Sequence, residues 1–142
     1  PFMMSLVRNW PFEFRTNLQY GFVDVSSYSG SSSGNIKLNS GLTIDIKDRF
    51  VVVVDGIIDT GQTLEFLIEY LGQRNPKLLK SVVLLNKGTI HNSDINIDYC
   101  GFEIEDYFIV GYGMDHNDSY RALDYIAVLE ENFTSNGGAN ED

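Results

Sequence analysis

Asp55 and Asp59 are separated by Gly56, Ile57 and Ile58, and Asp59 runs straight into Thr60, Gly61, Gln62 and Thr63. The second group is a small, hydroxyl-bearing turn of the type that receives an anion. At the start of a helix the first backbone N–H groups have no intrahelical acceptor, and the helix dipole places its positive end there. The N–H groups of Thr60, Gly61, Gln62 and Thr63, with two threonine hydroxyls, suit a phosphate. The carboxylates decide which phosphate, because a carboxylate beside a phosphate repels it unless a cation or sugar hydroxyls intervene. The chemistry indicated is binding of a metal-bound sugar phosphate. A nucleoside triphosphatase P-loop needs a lysine before its Ser/Thr and more glycine, and this turn has neither.

Such a site needs a strand that ends near Asp55 and a helix that opens near Thr60. Phe50 is followed by four valines, a β-branched run expected for a strand buried on both faces. The stretch TLEFLIEYLGQRNP then carries apolar residues at helical spacing, so a helix is expected over Thr60–Arg74, stopped by Pro76. Further strands are expected near Tyr20–Ser26, Asn35–Leu38, Lys80–Asn86, Tyr107–Tyr112 and Tyr125–Leu129, with the end of a helix at Pro1–Asn9. Strand, helix and strand in that order predict an α/β fold with a mostly parallel sheet flanked by helices. Ligands then bind at the carboxyl ends of the strands. Asp55, Lys87 and Asp115 are all expected just past such ends.

The stretch SYSGSSSGN, Ser27–Asn35, is too poor in apolar residues to pack and reads on its own as a flexible hairpin loop. The polar, acidic tail Thr134–Asp142 is expected to be disordered, leaving one domain over residues 1–133. With 142 residues and 43% hydrophobic composition the chain can bury one core. A formal net charge of −10 argues against nucleic acid and anionic membranes as partners. No apolar run approaches the ~18 residues of a membrane span, and PFMMSLV lacks the features of a signal peptide. The single cysteine, Cys100, excludes an internal disulfide, is expected to pack in the core, and suits the cytosol. His91 and His116 have no partner at metal-ligand or triad spacing and read as surface residues.

The segment FVVVVDGIIDTGQT closely resembles the ribose-phosphate signature of the hypoxanthine-guanine (6-oxopurine) phosphoribosyltransferase family, whose usual form is two acidic residues, IIDTG, one variable residue and T. Downstream, VVLLNKGT, DYCGFEI, DYFIVGYGMDHNDSYR and DYIAVLEE resemble that family's successive blocks in the same order. Upstream, VDVSSYSGSSSGNIK resembles its mobile lid, with Ser27 and Tyr28 in place. The resemblance covers roughly residues 19–131 and implies the phosphoribosyltransferase fold. It also implies transfer of a 5-phosphoribosyl group from phosphoribosyl pyrophosphate to hypoxanthine or guanine, giving the purine nucleoside monophosphate, with Mg²⁺ and within a homo-oligomer.

Residue roles follow from the same resemblance. Asp55 would hold the ribose hydroxyls directly or through Mg²⁺, and Thr60, Gly61, Gln62 and Thr63 the 5-phosphate. Asp59 would act as general base at the purine N7, although in isolation it also suits a helix N-cap. Lys87 would donate to the purine O6; read alone it is a surface lysine. Phe108 would stack on the base, worth roughly 1–3 kcal/mol, and the backbone of Ile109 would bond its edge. Asp115 would be the second Mg²⁺-linked carboxylate, and Arg121 would clamp pyrophosphate, a position equally suited to an exposed helix arginine.

Two departures from the family pattern stand out. Gly56 replaces the second acidic residue, so one ribose-hydroxyl contact is missing, at a cost of ~1.5–3 kcal/mol. The amino end, PFMMSLVRNWPFEF, resembles the helix and connector that follow the family's first strand and pyrophosphate loop. The chain is therefore expected to start after that loop, either as a piece of a longer protein or as a short paralogue. In the second case Trp10, Phe12 and Phe14 are candidates for a partner contact. A non-catalytic nucleotide-binding or regulatory homologue is the rival reading. A phosphoacceptor receiver using Asp55 needs an acidic pair after its first strand that is not seen here.

Overall fold

The computed structural model describes residues 1–27, 36–88 and 95–129. Tyr28, the loop to Asn35, His91 and the tail from Thr134 lie outside them. The chain runs α1 (Phe2–Asn9), α2 (Phe12–Arg15), β1 (Asp24–Ser27), β2 (Ile36–Ser40), β3 (Phe50–Ile58), α3 (Gln62–Gly72), β4 (Leu78–Asn86), β5 (Tyr99–Glu103), β6 (Ile109–Gly111) and β7 (Ile126–Val128).

A three-stranded parallel sheet in the order β3-β4-β5 forms the centre. β3 and β4 pair from Phe50↔Leu78 to Ile58↔Asn86, and β4 and β5 from Val82↔Tyr99 to Asn86↔Glu103. Parallel neighbours need a crossover, and α3 supplies the one between β3 and β4. The α/β expectation and its parallel sheet hold. Two antiparallel pairs, β1-β2 and β6-β7, accompany the sheet.

The core lies between α3 and one face of the sheet. Leu64, 1% exposed, and Leu71, two helical turns later, meet Val53, Ile58 and Val83, with Ile46 from the loop before β3. At the foot of α3 the Arg74 Nη1 donates to the Leu42 carbonyl at 2.7 Å, and the Leu42 N–H donates to the Tyr70 hydroxyl at 3.3 Å. The chain entering β3 is thereby fixed to the helix that leaves it.

Three expectations are corrected. The valine strand is not buried on both faces: Val51 and Val53 face the core, whereas Val52 points the other way and is 43% exposed. Alternation along a strand sends neighbours to opposite faces, and α3 covers one. The strand β5 was not anticipated, because every one of its residues is exposed and Gly101 interrupts the pattern. Gly101 lets β5 approach β4, since a Cβ there would stand 2.7 Å from the Leu84 carbonyl oxygen. Cys100 sits on this same strand at the sheet edge and is exposed, not packed in the core.

Replacing Leu64 by alanine should cost about 2–5 kcal/mol, because its neighbours on α3 and the sheet cannot close the cavity. A urea titration should show a lower midpoint with unchanged slope; a loss under about 1 kcal/mol would place Leu64 outside the stabilising core.

Candidate active site

A cleft of about 490 Å³ opens where β3, β4 and β6 end, and Asp55, Asp59, Lys87, Phe108, Ile109, Asp115 and Arg121 all line it. Seven of the candidate residues thus meet although they span three strand ends and two loops.

β3 continues to Ile58, three residues beyond its expected end, since Ile57↔Leu85 and Ile58↔Asn86 keep the pairing. Asp55 is therefore inside the strand and half-buried. Burial pushes its carboxyl above the ordinary aspartate range, opposed by hydrogen bonds from the Gly56 and Ile57 backbone. Asp59 follows the strand and is 58% exposed. The cap of α3 is Gly61, in the left-handed region at φ 84°, with no side-chain cap, so Asp59 is not the N-cap. The helix starts at Gln62, and the first N–H with an intrahelical partner is that of Glu65, bonded to the Gly61 carbonyl at 3.0 Å. Thr60 to Thr63 stand at this helix start next to the cleft but are not part of its lining.

Lys87 follows β4 directly. Its backbone N–H donates to the Ile58 carbonyl at 3.0 Å, which ties the ends of β3 and β4 together. Far from being a surface lysine, it is 8% exposed. A buried ammonium needs a counter-charge, and its Nζ lies 2.9 Å from Asp106 Oδ1 and 3.9 Å from Asp59 Oδ2.

The opposite wall comes from β6 and the turns after it. Phe108 packs edge-on against the His116 ring at 5.0 Å, so His116 is half-buried behind the aromatic wall and not a free surface residue. Ile109 opens β6 against Val128 of β7. Asp115 Oδ1 is 2.9 Å from Arg121 Nη1, while Asp115 Oδ2 accepts the Asp118 N–H at 3.1 Å. Arg121 lies in a turn, not on a helix, and also reaches Asp118 at 3.3 Å. Ser27 is the last residue of β1.

Sequence reasoning missed the floor supplied by α1. Phe2 and Met3 line the cleft with Tyr112 and Met114, and the Ser5 and Tyr112 hydroxyls are 2.5 Å apart. It also missed Asp106, whose only signal was its place two residues before Phe108. No cluster of three or more His, Cys, Asp or Glu side chains suited to a metal occurs among the described residues. Chemically the cleft offers two carboxylates at one strand end, an ammonium between carboxylates, an aromatic face, and a carboxylate paired with a guanidinium.

The phosphoribosyl transferase domain model matches residues 1–117. The chain is 41% identical over 132 residues to a hypoxanthine-guanine phosphoribosyltransferase of Bacillus subtilis, covering 92% of this chain and 71% of that protein. A solved hypoxanthine-guanine phosphoribosyltransferase of Bacillus anthracis superposes with a TM-score of 0.72 at 40% identity, covering 77% of this chain and 65% of the other. A hypoxanthine phosphoribosyltransferase of Trypanosoma cruzi in complex with the product IMP gives 0.72 at 37%, covering 78% and 59%. The chain thus spans a little under two thirds of the two solved relatives. The resemblance and the fold inferred from the sequence are both borne out.

The half-buried Asp55 carries a pH signature. Its carboxyl binds a proton more tightly folded than unfolded, where its ordinary value is 3.8. Folding stability from this group is therefore fully present below about 3.8 and is lost as pH rises through the raised folded value. Asp55→Asn removes the penalty. In metal-free buffer the variant should unfold at higher denaturant than the parent at pH 7, with the gap closing below pH 4. A variant less stable than the parent at pH 7 would show that burial does not dominate at Asp55.

Proposed function

Because the chain belongs to the phosphoribosyl transferase domain family, we propose that it transfers the 5-phosphoribosyl group of phosphoribosyl pyrophosphate to hypoxanthine or guanine. The products are IMP or GMP and pyrophosphate, a purine-salvage reaction. The observation that supports it most is the single cleft uniting Asp55, Asp59, Lys87 and Phe108 at the carboxyl ends of two parallel strands.

In this reading the start of α3, Thr60 to Thr63, holds the 5-phosphate, and Asp55 holds the ribose hydroxyls. The purine stacks on Phe108, bonds the Ile109 backbone along its edge, and receives a hydrogen bond at O6 from Lys87. The bond from the anomeric carbon to the pyrophosphate oxygen breaks with its electron pair leaving on pyrophosphate. N9 supplies the new bond to that carbon, and the N7 proton passes to the Asp59 carboxylate. Positive charge grows on the ribose ring in the transition state, so the carboxylates beside it stabilise that charge. Arg121 meets the departing pyrophosphate with its guanidinium fork.

Mg²⁺ suits the residues present, since it commonly keeps waters and takes one or two protein carboxylates beside substrate phosphates. Asp55 and Asp115 would hold it, and a cation near the half-buried Asp55 offsets the cost of its charge. When bound, the metal neutralises negative charge on the pyrophosphate. We place the transferase unit over residues 1–133, in the cytosol and in a homo-oligomer. Exposed Phe12, at 73%, with Phe14 and Phe22 supports a covered surface, and the unpaired Cys100 suits a reducing compartment.

The rival, a nucleotide-binding homologue without turnover, is favoured by Gly56 alone. A Cβ at Gly56 would meet only Met114 Cγ, at 3.8 Å, so an acidic side chain has room. Incubation with phosphoribosyl pyrophosphate, Mg²⁺ and either base should yield the monophosphate, and Asp59→Ala should slow it by about 10²-fold or more. Gly56→Asp should speed turnover by about ten- to hundredfold through the restored contact. Binding of IMP with no product from the parent or the Gly56→Asp chain would establish the rival.

A further inference from the structure

Lys87 is held by a carboxylate outside the cleft lining. Its side chain lines the cleft, and so does that of Asp59, but Asp106 is not part of the lining. The ammonium donates to Asp106 Oδ1 at 2.9 Å, a charge-assisted hydrogen bond, while Asp59 Oδ2 at 3.9 Å is beyond hydrogen-bond distance. An ammonium has three donors, and this bond gives one of them to a carboxylate outside the cleft lining.

The segment that carries Asp106 is itself anchored. The Ile104 N–H donates to the Asn86 carbonyl at 2.9 Å, extending the β4-β5 ladder to the residue beside Lys87. The Tyr107 N–H then turns back to the Glu105 carbonyl at 2.8 Å, and its hydroxyl donates to Glu105 Oε2 at 2.6 Å. Asp106 sits in this turn, two residues before Phe108. One short stretch therefore places the counter-ion of Lys87, the aromatic ring and the edge-facing backbone of Ile109.

Without the Asp106 charge, Asp59 is the nearest carboxylate to the ammonium among the described residues. An ammonium that settles on Asp59 is drawn from the position where its remaining donors face a 6-oxo group, and it engages the carboxylate needed to accept the proton. We propose that Asp106 is a positioning residue that holds the Lys87 ammonium off Asp59 and keeps its remaining donors free for the 6-oxo group of a purine. This rests on the assignment of Lys87 to O6 made above.

The test uses the full chain and two nucleotides, IMP and purine riboside 5′-monophosphate, which lacks O6 and the N1 proton that accompanies it, with dissociation constants measured by titration calorimetry and the Lys87→Met chain isolating the O6 contribution. The parent should prefer IMP by about tenfold. Asp106→Asn should weaken IMP about tenfold and leave the nucleotide without O6 within about twofold. Asp106→Glu, which keeps the charge, should recover part of the preference. Equal weakening of both nucleotides in Asp106→Asn, or unchanged binding of both, overturns the proposal, as does an Asp106→Glu chain that loses the preference as completely as Asp106→Asn. Lys87→Met separates the two levels of inference. If it keeps the IMP preference, the Lys87 assignment fails and takes this proposal with it. If it abolishes the preference while Asp106→Asn retains it, only the role of Asp106 fails.

Discussion

The parallel pairing of β3 with β4 is the constraint on which the site depends. Parallel strands end on the same side, so whatever follows Ile58 and whatever follows Asn86 must emerge together. The hydrogen bond from the Lys87 N–H to the Ile58 carbonyl, 3.0 Å, carries that pairing one residue beyond the ladder. Asp59 and Lys87 thereby become neighbours across 28 residues of sequence, counted from their numbers. Parallel pairing also requires a covered crossover, and the Leu64 and Leu71 stripe of α3 meets it by burying one face of β3 and β4. Core and site are two ends of the same geometry.

Electrostatics then separates the roles of groups that share a chemical type. Asp55 and Asp59 are both aspartates on one short segment, yet one lies in the strand with its charge disfavoured by burial and the other beyond it, largely exposed. Lys87, the nearly buried cation of the cleft among the described residues, is matched by Asp106, and Arg121 is matched by Asp115 and Asp118. In a chain of net charge −10 such pairing matters. Each cation has more than one carboxylate in reach, so what the cleft offers a ligand is set by which pairing prevails.

Much of this was legible in the sequence, for physical reasons that differ by element. β3 and α3 announce themselves because a β-branched run and a helical apolar stripe are strong periodic signals. The hydroxyl-rich turn between them is legible because its chemistry is local. What stayed hidden depends on the edge of the sheet. β5 buries nothing, so it has no pattern to read, and Cys100 follows it to the surface. The burial of Lys87 was hidden because it depends on Asp106, 19 residues away, and no local rule pairs them. The floor that α1 lays with Phe2 and Met3 is likewise a tertiary fact: its apolar face is visible in sequence, but not where that face docks. The half-buried His116 belongs with these, since its partner is the Phe108 ring.

Gly56 is where local and tertiary information have to be weighed together. By sequence it is a loss, one acidic side chain fewer than the family pattern carries after Asp55. By structure it is a loss without collapse, since β3 runs through it with Ile57 and Ile58 still paired to β4 and the nearest atom to a Cβ there is Met114 Cγ at 3.8 Å. Under the proposed function the magnitudes decide its consequence. One charge-assisted contact is worth about 1.5–3 kcal/mol, whereas enzymes typically lower barriers by about 8–23 kcal/mol in total. Alignment of the reactants, the proton acceptor at Asp59 and the stacking face of Phe108 do not pass through Gly56. The departure therefore weakens the hold on the sugar while leaving the groups that act at the base in register.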